Sequence, residues 1–106
     1  MVIRMDDTPP TLTVWLSGEL DHHAARPLRE QVDAAIARSS STVLRLDFAG
    51  VTFMDSSGIG VIIGRHKMMQ FRKGKLSVMH LGDRVETIFR AAGLQKIVEV
   101  KENEEC

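Results

Sequence analysis

A chain of 106 residues with 14 basic and 14 acidic side chains carries no formal net charge at pH 7, which excludes a nucleic-acid binder that depends on a strong basic field. An apolar share of 43% against 26% charged residues excludes disorder, and the length fits one domain, residues 1–106, around one core. Cys106 is the sole cysteine, so neither an intramolecular disulfide nor a tetrahedral thiolate site can form, and a reducing, cytoplasmic setting is expected. No apolar run is long enough for a signal peptide or a membrane span.

Residues 1–5 have strand character, and Asp6-Asp7-Thr8-Pro9-Pro10 reads as the turn that follows. Residues 11–16 alternate, with Leu12, Val14 and Leu16 on one face and Thr11, Thr13 and Trp15 on the other, so a hairpin is expected. After Gly18-Glu19-Leu20-Asp21, the spacing of Leu28, Val32, Ala35 and Ile36 predicts a helix. Asp21 or a following histidine caps it, and Pro27 belongs in or near its first turn. Arg38-Ser39-Ser40-Ser41 ends it.

Residues 43–48 alternate again, with Leu44, Leu46 and Phe48 inward and Arg45 and Asp47 outward. Residues 49–55 read as a loop and residues 57–71 as a second helix. On that helix Ile59, Ile62, Ile63, His66 and Met69 form the expected buried stripe. Ser57, Gly60, Val61, Gly64 and Met68 share another face, where small residues let a partner's backbone approach and Met68 offers adaptable apolar contact. The cluster Arg65, His66, Lys67, Arg72, Lys73 and Lys75 reads as a solvated face.

Arg72-Lys73-Gly74-Lys75 breaks this helix, and residues 76–81 form an apolar strand. Gly82 turns the chain. Asp83 and Glu86 suggest a capping box ahead of Val85, Ile88, Phe89 and Ala92, with Gly93 as the stop. Residues 97–100 read as a short closing strand or an extended segment, and residues 101–106 are an expected mobile end. The order β-β-α-β-α-β-α-β predicts an α/β fold with a mixed, mostly parallel sheet of four to five strands and helices mainly on one face.

The chemical motifs are few. Neither Ser56 nor Ser57 stands in a G-x-S-x-G elbow. Gly58, Gly60 and Gly64 imitate a dinucleotide fingerprint, but about ten residues separate them from the strand that should lead straight into it. Asp21-His22-His23 points in too many directions on a helix to chelate one ion, so no metal is expected. What remains is Asp55-Ser56-Ser57-Gly58 at the mouth of a helix, where free N–H groups suit either a capping side chain or an anionic group made in place. Asp55 itself can orient the Ser57 hydroxyl or fix the loop by accepting backbone N–H bonds.

Gly18-Glu19-Leu20-Asp21, the strand at residues 43–48 and above all Val51-Thr52-Phe53-Met54-Asp55-Ser56-Ser57-Gly58-Ile59-Gly60 resemble the STAS-domain anti-sigma factor antagonists, nearest to their sporulation branch. The similarity spans nearly the whole chain. It implies a single STAS-like domain without catalysis of its own, whose Ser57 is phosphorylated by the anti-sigma factor, a serine kinase that supplies the ATP. The chain then needs no cofactor. A serine phosphatase reverses the step, and the unphosphorylated form binds the kinase and releases the sporulation sigma factor. Asp55, Ser56 and Gly58 are the supporting loop, and Glu19, Asp21, Ser57, Gly60, Val61, Gly64 and Met68 the expected partner face of a free monomer with no direct nucleic-acid or membrane contact. The competing expectation is a small nucleotide-binding or hydrolytic protein using residues 55–64.

Overall fold

The computed structural model describes residues 1–101. Strands β1 (Val2–Thr8) and β2 (Thr11–Leu20) pair antiparallel from Val2 against Ser17 to Thr8 against Thr11. Only Pro9 and Pro10, joined by a cis peptide, connect them. The expected five-residue turn is therefore shorter, because Asp6, Asp7 and Thr8 stay in the ladder, where polar side chains on an edge strand keep their water. Asp7 also accepts hydrogen bonds from the hydroxyls of Ser39 and Ser41, both at 2.8 Å, which ties the hairpin to the end of the first helix.

Helix α1 (His22–Arg38) buries Leu28, Val32, Ala35 and Ile36 as their spacing predicts. Pro27 lies beyond the first turn, since the helix opens directly after Asp21, and it stands on the exposed side. Strand β3 (Val43–Met54) corrects the larger expectation. Residues 49–54 are not a loop but continue the strand, pairing parallel with β2 from Ser17 against Gly50 to Leu20 against Met54, with one register shift just before Ser17 and a second between Gly18 and Glu19. The irregularity keeps the pairing while breaking the alternation that sequence periodicity detects.

Helix α2 (Ser56–Phe71) buries Gly58, Val61, Ile62, Arg65 and Met69, whereas Ile59, Ile63 and His66 are half-buried. The expected stripe is thus turned by about one residue, roughly 100°. Its phase is set by Gly58, where an added Cβ would press into the Met54 and Leu20 side chains. Strand β4 (Lys75–Met79), helix α3 (Asp83–Ala91), a 3-10 turn (Leu94–Lys96) and strand β5 (Glu99–Lys101) complete the order. Strand β4 ends before His80, which adopts a φ of 60°.

At α3 the N-cap is Gly82 without a side-chain cap bond, so the expected capping box is absent. Asp83 sits in the first turn, and Glu86 pairs with Arg90 at 2.7 Å instead. Gly93 stops the chain in the left-handed region at φ 76°, as its position predicts. Lys101 belongs to β5 rather than to a mobile end, and residues 102–106 lie outside the described residues.

The sheet order β1-β2-β3-β4-β5 follows the chain order, with β2 to β5 parallel. Right-handed crossovers then all turn to one side, so the helices cover one face. Leu44, Leu46, Phe48, Ile62, Leu76 and Phe89 lie in the single core beneath them. Thr13, Trp15 and Arg45 stand half-buried on the other face, where Arg4 lies 5.5 Å over the Trp15 ring.

Candidate functional site

Two neighbouring parallel strands end together, and each runs into an aspartate that opens a helix. Leu20 pairs with Met54, Asp21 caps α1 and Asp55 caps α2. The cap bonds are alike: Asp21 Oδ1 accepts the Ala24 N–H at 2.9 Å, and Asp55 Oδ1 accepts the Ser57 N–H at 2.8 Å. The Asp55 N–H in turn donates to the Leu20 carbonyl at 3.4 Å. The N-terminal ends of two helices therefore open side by side at the carboxyl edge of the sheet, the usual place for a site in an α/β fold.

Of the two expected roles of Asp55, the structure shows the loop-fixing bond, in which Oδ1 accepts a backbone N–H. The Ala24 N–H is the main reason that the Asp21 carboxyl titrates below the usual aspartate range. Ser56 is exposed and Ser57 half-buried, so Ser57 is reachable from solvent while its backbone N–H is held by Asp55. Gly58 completes the turn, and its N–H donates to the Asp55 carbonyl at 3.0 Å.

Glu19, opposite Phe53 in the β2–β3 register, is exposed, and Asp21, one residue beyond the Leu20–Met54 pair, is half-buried at the same edge. Along α2, a Cβ added at Gly60 or Gly64 would meet nothing within 4 Å, and Met68 continues that side half-buried. Val61 does not. It is 2% exposed in the core, so it leaves the expected partner face for the reason already given, the phase imposed by Gly58.

The glycine pattern of residues 58–64 lies inside the helix. Gly60 and Gly64 sit in its later turns, where their amides take part in helical bonding, and no glycine-rich loop remains to cradle a phosphate. His22 and His23 are exposed, with ring centroids 5.9 Å apart. Among the described residues no three His, Cys, Asp or Glu side chains converge as a metal site would require.

Two features escape a linear reading. Phe53 is 39% exposed at this edge, hidden in sequence within an apparent loop. Arg65, read as part of a solvated basic face, is 7% exposed. Its Nε lies 3.1 Å from Asp33 Oδ1 on α1, an ion pair without hydrogen-bond alignment, and burial lowers the guanidinium pKa while Asp33 opposes the shift.

Comparison with known proteins settles the kinship: residues 2–105 match the model of the STAS domain. The chain belongs to the STAS family. Similar STAS proteins include an anti-sigma F factor antagonist of Paenibacillus polymyxa, 39% identical over 102 residues that cover 96% of this chain and 87% of the relative. An anti-sigma-B factor antagonist of Listeria monocytogenes is 32% identical, covering 85% and 78%. Among solved structures, the anti-sigma factor antagonist SpoIIAA in its unphosphorylated form superposes with a TM-score of 0.85 at 28% identity, over 98% of this chain and 90% of that one. The phosphorylated form of the Bacillus cell fate determinant SpoIIAA gives 0.77 at 28% identity, over 98% and 93%. In this STAS domain no helix among the described residues is long and apolar enough to cross a membrane.

Proposed function

We propose that this STAS protein is an anti-sigma factor antagonist whose Ser57 is a phosphorylation switch. The observation that carries the reading is the placement of Ser57. It stands at the second position of α2, reachable from solvent, in a chain similar along 96% of its length to an anti-sigma F factor antagonist. In the unphosphorylated state the edge built from Glu19, Asp21 and Ser57, together with Gly60, Gly64 and Met68 along α2, docks on an anti-sigma factor that is a serine kinase, and the sigma factor is released. Phosphoryl transfer from that kinase's ATP ends the contact, and a serine phosphatase restores it. The antagonist contributes a substrate hydroxyl and no catalysis.

The physical argument is electrostatic. A phosphate on Ser57 adds about −1.5 to −2 charge and three acceptor oxygens. Within its own molecule the new anion faces a helix N-terminus, where the dipole favours it by about 0.3–1 kcal/mol, so the fold stands. At a docked interface the same anion joins Asp55, Asp21 and Glu19 and has to be desolvated, which weakens binding by repulsion and desolvation.

The test is mass spectrometry of the purified protein after incubation with ATP and its cognate anti-sigma factor. One phosphate on Ser57 is expected, and none on Ser57→Ala. Ser57→Asp is expected to keep the wild-type circular dichroism spectrum and lose binding. If Ser57→Asp and Ser57→Ala bind the anti-sigma factor equally well and both release sigma factor, the switch is refuted.

A further inference from the structure

Phe71, the last residue of α2, is 96% exposed. It stands at the rim of an open cleft of about 500 Å³ between the C-terminal halves of α1 and α2, where Ile36, Ala37 and Met68 supply an apolar lining. An aromatic ring held in water contributes no burial to its own fold, and rings in such positions are favoured anchors at interfaces.

The charges around this cleft lean one way. Helix α2 contains no acidic residue, and Lys67 and Arg72 border the opening. Arg72 is fixed there because its guanidinium donates to the carbonyls of Ile36 at 2.6 Å, Ser39 at 2.7 Å and Ser41 at 3.3 Å, closing the end of α1. The one bordering carboxylate, Asp33, is already paired with Arg65. The cleft therefore presents positive charge around an apolar floor.

It also extends the proposed contact face. Ser57, Gly60, Gly64, Met68 and Phe71 recur at intervals of three and four along α2 and so share one side of the helix. We infer that the cleft receives an acidic amphipathic helix of the anti-sigma factor, with Phe71 as the apolar anchor and Lys67 as the charge that selects the partner's acidic face. This rests on the function proposed above and extends its contact from the switch end of α2 to the opposite end. A second copy of the chain is a poorer occupant, because a two-fold contact through this patch would bring the same positive rims together.

Calorimetric titration of the full chain against its purified cognate anti-sigma factor tests the assignment. Phe71→Ala is expected to weaken binding about thirtyfold, the size of an interface hot spot, with an unchanged thermal midpoint because the ring is in water. Lys67→Glu is expected to weaken binding most at low salt, and Lys67→Gln less. If both Phe71→Ala and Lys67→Glu bind like the wild type while Ser57→Asp loses binding, the cleft assignment is wrong and the switch survives. If none of these substitutions changes binding, both fall. Should Phe71→Ala instead turn a dimer into a monomer in sedimentation and leave anti-sigma factor binding intact, the occupant is a second copy and the inference is overturned.

Discussion

A methyl group added at Gly58 would overlap Met54 Cγ and lie 2.8 Å from its Sδ and 3.1 Å from Leu20 Cδ2. Both neighbours are buried, at 5% and 0% exposure, so neither can swing into solvent. Gly58→Ala gains about 1 kcal/mol of helix propensity and loses about 1–3 kcal/mol to overpacking. The expected outcome is a net loss of up to about 2 kcal/mol in urea denaturation, with the start of α2 lifted off the sheet and Ser57 displaced with it. This residue was legible in sequence as a turn former but not as a contact, because the side chains that crowd it come from two other segments. Asp55 was legible as far as its position. Only the 2.8 Å bond to the Ser57 N–H decided that it caps the helix.

At the scale of the element, α2 shows why a helix can be predicted well and oriented badly. Its existence follows from composition and its end from the Arg72-Lys73-Gly74 break. Ile59, Val61, Ile62 and Ile63 ring so much of its first turns with apolar side chains that no single stripe stands out. The contact at Gly58 and the Arg65–Asp33 pair choose the phase, sending Val61 inward and leaving Gly60 and Gly64 open. Gly60→Ala and Gly64→Ala should therefore each stabilise the isolated protein by up to about 1 kcal/mol, since the new methyl meets nothing and the helix gains propensity. The same substitutions should weaken binding to the anti-sigma factor if a partner's backbone lies along that face. Thermal melts and titrations of the two variants read the two effects separately. A loss of stability in both would show that this side of α2 is packed after all.

Across the whole molecule, balanced charge hides an uneven distribution. The carboxyl edge of the sheet carries Glu19, Asp21 and Asp55, and the far end of α2 carries Lys67 and Arg72. Among the described residues, two carboxylates titrate below their ordinary ranges: Asp21, chiefly through the Ala24 N–H, and Glu99, chiefly through the side-chain bonds from Lys75 and Lys101. In each the folded-state pKa is lower than the unfolded one, so its contribution to stability is present at neutral pH and is lost as pH falls through the folded value. Urea midpoints are expected to change little through these groups from pH 7 to about 5 and to fall below about pH 4. A midpoint that rises on acidification below pH 4 would contradict the assignment. The element order, the mixed sheet and the Gly93 stop were readable from the chain alone, as was the Asp55-Ser56-Ser57-Gly58 run at a helix mouth, and Asp21 was one of the two α1 caps the chain offered, because each depends on residues within a few positions of one another. Only the tertiary structure decided the length of β3, the rotation of α2, the burial of Val61 and Arg65, and the pairing of two capped helix mouths at one edge. Those depend on which distant side chains share a volume, and no local pattern in the chain encodes that.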